Sequence, residues 1–344
     1  MKNSKVTICD EVIHPGETIS LALPLPELFS CAPMYMPIKV THGKNKGPVL
    51  LVVAAIHGNE LNGTEIIHQL LKRPELEDLC GTLIAIPIIN VYGFINRSRT
   101  LPGGSSLNQS FPGSPNGSHA ARLADLISTR ILPLADYCID LQTGFLNHSN
   151  LPQVFVGVEN QVEMDLAETF GAPVIARLEP EPGSLRETAN AQDVPFLVYE
   201  AGEAMRFDEH AIEVGVQGIL NIMQKLEMLD KALPEPVNPT SSFLVKTSSW
   251  VRSPTSGISH SQIRLGAEVK KGQSLSMIKD PFGAGHDVPV TAPADGIIVG
   301  KNNLPLVHEG ATLFQIASFS EMAKAVSHFE NWKPGVEDEA GESE

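Results

Sequence analysis

Apolar positions change period several times along the chain, and each change marks an element. Gly47 to Ala55 reads GPVLLVVAA, a short continuous apolar run rich in Val and Leu, as expected for a strand covered on both faces. From Glu60 to Lys72, Leu61, Ile66, Ile67, Leu70 and Leu71 recur at helical spacing, and a second strand follows from Thr82 to Ile89. Ser118 to Ile131 reads as a helix. Tyr137 to Leu141, Val154 to Val158 and Phe196 to Tyr199 read as strands, and Ala211 to Leu229 as a long helix. Strands alternating with helices predict an α/β fold, a mostly parallel sheet with helices on both faces. Ligands of such sheets gather at the carboxyl ends of strands. His57, Asp140 to Thr143 and Glu200 lie at or just past such ends.

Near Leu233 the texture changes. LPEPVNPTSS is rich in proline and serine and reads as a linker. Short segments punctuated by glycine and proline follow it, among them GISHSQIRLGAEVKKGQSLSMIKDPFG and VTAPADGIIVG, the pattern of an all-β module. The expected domains are therefore residues 1–235, a small β domain at 236–325, and a tail at 326–344. The tail ends GVEDEAGESE and is acidic enough to be expected disordered. No repeat of solenoid length is present.

A length of 344 residues accommodates one large domain and a small one, and 42% hydrophobic with 19% charged residues is ordinary for a globular chain. The formal charge of −15 argues against broad attraction to nucleic acid or to an anionic membrane, so an anionic substrate would need local arginines. MKNSKVTICDEVIHPGE holds no apolar stretch long enough for a signal peptide, and no later run approaches a membrane span, so a cytoplasmic location is expected. Cys9, Cys31, Cys80 and Cys138 have no paired CxxC spacing and read as small buried apolar residues rather than disulfide or zinc ligands.

Five segments can carry chemistry. His57-Gly58-Asn59-Glu60 stands where a buried strand gives way to a helix, so an imidazole and a carboxylate can converge as they would on zinc; the alternative is a hydrogen-bonded strand-end histidine beside a first-turn acid. Asn96 to Arg99 and Leu107 to Gly113 flank a glycine-rich loop whose cations suit a carboxylate or a developing oxyanion, or are simply solvated. Asp140 and Gln142 point to one face of a strand end. Glu200 closes the strand PFLVY, where partial burial would raise its pKa toward that of a general base; a structural, paired glutamate is the alternative.

Taken in order, AAIHGNELNG, INRSRTLPGGSSLNQSFPGS, IDLQTG, NLPQV and VYEAGE resemble the succinylglutamate desuccinylase/aspartoacylase family, relatives of the zinc carboxypeptidases. The likeness covers nearly all of the first 230 residues. It implies a zinc-carboxypeptidase-like catalytic domain binding one zinc ion per chain, with His57 and Glu60 as ligands. It implies Glu200 as general base, Arg99 as the group polarising the scissile carbonyl, and Asn108 as a partner of the substrate carboxylate. The C-terminal segments resemble the barrel or hybrid-sandwich appendage of this family, without the lysine-centred tip of a carrier domain, and imply a wall to the site entrance or support for a homo-oligomer.

Two positions depart from the family pattern. Gln142 stands where DLHT would supply the third zinc ligand, and Gln109 stands where LNR would supply an arginine. A glutamine oxygen is a harder and weaker zinc ligand than imidazole, so affinity should fall or metal preference shift. His148, six positions on, is a second candidate ranked behind Gln142. Without a cation at Gln109, the substrate either lacks that carboxylate or uses Arg186. The expected activity is zinc-dependent hydrolysis of an N-acyl amino acid or similar small amide. The rivals are a metal-poor, non-catalytic ligand-binding relative and a peptidase or esterase.

Overall fold

The computed structural model describes residues 2–27, 33–229, 241–283 and 285–330. Cys31, most of the expected linker, and residues 331–344 of the expected tail lie outside them. Cys9, Cys80 and Cys138 are free thiols, and of these Cys138 is fully buried. Among the described residues no helix is long and apolar enough to cross a membrane.

The chain begins with a small hairpin, β1 (Val6–Ile8) and β2 (Glu11–Ile13), followed by β3 (Thr18–Pro24), β4 (Tyr35–His42) and β5 (Asn45–Ala54). Helix α1 (Asn62–Leu70), β6 (Cys80–Ile86), α2 (Val91–Ile95) and α3 (His119–Arg130) come next. Then follow β7 (Tyr137–Gly144), β8 (His148–Val156), α4 (Gln161–Phe170), β9 (Val174–Arg177), α5 (Leu185–Ala191), β10 (Phe196–Glu203) and α6 (Glu209–Lys225). The C-terminal part holds β11 (Phe243–Arg252), β12 (Gly257–His260), β13 (Glu268–Val269), β14 (Ser274–Lys279), β15 (Val288–Thr291), β16 (Gly296–Asn302), β17 (Leu306–Val307), β18 (Thr312–Phe319) and α7 (Met322–Glu330).

The apolar run in β5 does what its continuity predicts. Leu50, Val52 and Ala54 enter a core covered by α1, α4 and α6, while Leu51 and Val53 enter a second core covered by α3 and α5 on the opposite face. Side-chain caps set the helix starts: Ser118 accepts from the Ala121 amide and Asp208 from the Ala211 amide. Helix α6 stops at Lys225, short of Leu229. Glu227 turns left-handed there, and the chain after it still buries Met228 and Leu229.

The sheet is mixed, but it is not mostly parallel as expected. β10, β7, β5 and β6 run parallel through its centre, but β8 lies antiparallel on β10, and β4 and β3 are antiparallel at the other edge. The boundary expected at residue 235 does not divide two sheets either. β11 continues the main sheet beside β9, with Phe243 opposite Val174, and β16 comes back to pair with β8, with Gly300 opposite Asn150. Strands β8, β9, β11, β18 and β16 thereby close a five-stranded barrel filled by Leu151, Val174, Phe243, Val299 and Phe319. A second sheet, β15-β14-β12-β17, packs on the outside through Val251, Leu275, Ile278 and Phe314.

Residues 326–330, expected in a disordered tail, are the last turns of α7. Phe329 is 0% exposed and stacks near Phe243 and Phe319, because apolar residues at helical spacing here close the barrel. Phe329→Ala is expected to lower stability by about 3–5 kcal/mol in urea unfolding, as for other buried aromatic truncations; a shift below about 1 kcal/mol would show that α7 is not part of the core.

Candidate active site

The carboxyl ends of β5, β7 and β10 face one place, and local backbone chemistry fixes the first of them. Ala55 turns left-handed (φ 54°) after β5, and the side chain of Asn90 ties the turn down by donating to the Ile56 carbonyl while accepting from the Gly93 amide. Gly58 lies flat against α2. A Cβ there would stand 2.0 Å from the Gly93 carbonyl carbon, so only glycine lets the His57 to Glu60 turn close.

Within this turn the His57 ring donates from Nδ1 to Glu60 Oε1 at 2.8 Å, and both residues are buried. Glu60 lies before α1 rather than in its first turn. Arg99, in the loop after α2, donates from Nη1 to the same Oε1 at 3.0 Å, and its guanidinium lies 4.2 Å from the centre of the Phe145 ring. The Thr143 amide reaches Glu60 Oε2 at 3.3 Å, which joins the end of β5 to the end of β7. Sequence spacing brought His57 to Glu60; the contact with Arg99 and the platform of Phe145 were not foreseen.

On β7 the expected same-face pair is joined: Gln142 donates from Nε2 to Asp140 Oδ2 at 2.6 Å. Among the described residues Asp140 Oδ1 finds no hydrogen-bond partner. Burial, aided by the Glu60 charge and opposed by the Gln142 hydrogen bond, pushes the Asp140 pKa up to about 7. Because Nε2 is spent on Asp140, the amide oxygen is the free end of Gln142. Among the described residues no three His, Cys, Asp or Glu side chains group closely enough to hold a metal.

Glu200 stands in register with Gln142 of β7 on one side and Gln153 of β8 on the other. Asn150 donates to its Oε1 at 2.5 Å and Gln153 at 3.4 Å. Burial first, and the Glu60 charge second, push its pKa up to about 8, against the pull of Asn150, Arg99 and Gln153. Asn150 and Gln153 were not singled out as site residues from sequence. Residues three apart on a strand face opposite ways, and only the bulge between Glu200 and Gly202 brings both to one carboxylate.

The remaining candidates gather at the start of α5. Asn108 Oδ1 accepts from the Leu185 amide at 3.0 Å, and Phe111 donates its amide to the Gly183 carbonyl, so the Leu107 to Phe111 segment is pinned there. Gln109 is exposed, its backbone against Gly183. Arg186 is 5% exposed and pairs through Nη2 with the buried Glu163 at 3.5 Å, while its Nε finds no hydrogen-bond partner among the described residues. Burial pulls its pKa down and Glu163 works against that. His148 is tied elsewhere: its ring contacts Thr312 Oγ1 at 3.2 Å and the Leu146 carbonyl, so it is occupied on the barrel side.

The sequence profile of the succinylglutamate desuccinylase/aspartoacylase catalytic domain matches residues 46–226, the span that carries every candidate site residue. The chain belongs to this family. Its architecture recurs in family members of known structure: succinylglutamate desuccinylase/aspartoacylase from Rhodobacter sphaeroides superposes with a TM-score of 0.79 at 22% identity, covering 88% of this chain and 96% of that one. The product-bound ectoine utilization protein EutE (DoeB) from Ruegeria pomeroyi gives 0.79 at 23% identity, covering 92% and 99%. In sequence, the N-alpha-acetyl-L-2,4-diaminobutyric acid deacetylase of Halomonas elongata is 27% identical over 288 residues, 81% of this chain and 84% of that protein.

Glu163 also accepts from the Gly157 and Phe196 amides, so one carboxylate serves three partners. Removing it would strand a buried guanidinium. Glu163→Ala is expected to cost about 3–5 kcal/mol in chemical denaturation, whereas the exposed pair Lys324–Glu321 should contribute under about 1 kcal/mol; equal costs would contradict the buried pairing.

Proposed function

We propose that this family member hydrolyses the amide of a small N-acyl amino acid, with Glu200 as the general base. The register of β10 on β7 and β8 carries this reading, since it sets the Glu200 carboxylate at the same strand ends as Gln142 and the His57 to Glu60 turn. One oxygen of that carboxylate is held by amides. No hydrogen bond among the described residues reaches Oε2, which leaves it to accept the proton of an attacking water.

His57, Glu60 and the Gln142 amide oxygen would hold a single zinc ion, and the donor set fits, with its third member weak. Such an ion supplies Lewis acidity, easing loss of a proton from water and polarising a carbonyl. The kinship with zinc carboxypeptidases is part of the same proposal and is supported by the parallel centre with donors at its carboxyl ends. Arg99, partly exposed above Phe145, meets the carbonyl oxygen as charge develops on it.

Arg186, whose Nε finds no partner among the described residues, takes the substrate carboxylate beside Asn108. Gln109 offers no second cation. The substrate is thus a monocarboxylate, in keeping with a relative named as the deacetylase of an acetylated diaminobutyric acid. A second reading is a ligand-binding relative without catalysis. It is favoured by the two glutamines and by Arg99, which already neutralises Glu60.

Protein purified without chelator is expected to hold zinc by elemental analysis and to release acyl groups from a panel of N-acyl amino acids, with esters and peptides as controls. Glu200→Gln should lower kcat by about 10²–10⁴-fold and keep its metal. Undiminished turnover in that variant removes Glu200 from the role, and metal-free, inactive wild-type protein supports the binding-only reading. Gln142→His should raise zinc affinity in a competition titration; an unchanged affinity places the third ligand elsewhere.

A further inference from the structure

Strand β8 has a divided edge. Along one side it lies on β10, but on the other its residues 153–156 pair with β9 and its residues 148–150 with β16. Asn150 stands at the division, its backbone opposite Gly202 of β10 and Gly300 of β16. Its amide lies in a slot between two glycines: a Cβ on Gly300 would stand 2.8 Å from Oδ1, and one on Gly144 would stand 3.2 Å from Nδ2. From that slot Nδ2 donates to Glu200 Oε1.

We propose that Asn150, with Gln153 as the weaker partner, is the positioning residue of Glu200, and that Gly300 belongs to the same device although it lies in the C-terminal β module. The inference rests on Glu200 being the base. A glutamate side chain keeps several free torsions, and two donors on one oxygen fix the plane of the carboxylate and so the direction of Oε2. Neutral amides do this without lending a counter-charge. Only hydrogen at position 300 leaves Oδ1 its place, so the barrel strand β16 sets the aim of a carboxylate a hundred residues earlier in the chain (Gly300 to Glu200).

The test compares wild type, Asn150→Ala, Gly300→Ala and the double variant. It uses steady-state hydrolysis and the ¹H–¹⁵N spectrum of protein labelled at asparagine, in which Asn150→Ala assigns the Asn150 side-chain amide. Asn150→Ala is expected to lower kcat by about 10- to 100-fold with KM unchanged. Gly300→Ala, a single added methyl that keeps the test open should Asn150→Ala fail to fold, is expected to lower kcat less far and to move the Asn150 amide resonance. The double variant should be no worse than Asn150→Ala, because the oxygen that the new methyl meets is gone.

Full kcat in Asn150→Ala, or a Gly300→Ala loss that simply adds to it, overturns the proposal. If wild type hydrolyses no substrate, the hydrolytic reading fails while the spectrum still decides the contact. A resonance that shifts in Glu200→Ala upholds it, and one that stays in place refutes it.

Discussion

Negative charge held under the edge of a sheet is the constraint that organises this protein. Glu60, Asp140, Glu163 and Glu203 are each under a tenth exposed, and Glu200 stands among them. A carboxylate removed from water needs either an opposite charge or several donors, or else it holds its proton. The acids divide along that line. Glu60 has Arg99, His57 and an amide of β7; Glu163 has Arg186 and two backbone amides. Glu203 gathers the Asn147 amide, the Ser149 hydroxyl and the Asn303 side chain, and so stitches the barrel to the end of β10. Asp140 and Glu200 receive neutral side-chain amides alone, and these are the two that burial drives to high pKa. Glu60 and Glu163 are charge-paired here, whereas Asp140 and Glu200 are held by amides.

Much of the fold was legible because burial on both faces leaves a plain mark. β5 and α3 could be read from period alone, and the same-face relation of Asp140 to Gln142 followed from strand alternation. What failed to show were strands whose polar residues are satisfied by distant partners. β7 runs on through Gln142, Thr143 and Gly144 because β10 pairs with it there, and the polar start of β8, His148 to Asn150, is a strand only because β16 lies beside it. In the site, His57 and Glu60 were accessible through their spacing. Arg99 reaches Glu60 from 39 residues away. The amides on Glu200 depend on a bulge that no local pattern announces.

The closed barrel bears on how the molecule is made. Its five staves come from two stretches of chain, residues 148–177 and 243–319, so the ring cannot close until the chain has been synthesised past Phe319. Closure of contacts so far apart along the chain is slow compared with helix formation. Before β16 is made, β8 therefore has part of one edge bare, its Asn150 already beside β10 but the outer hydrogen bonds of residues 148–150 unmade. The carboxylate machinery of the amino-terminal two thirds is completed by almost the last strand to appear, so an unfinished chain carries most of the candidate site residues without their final alignment.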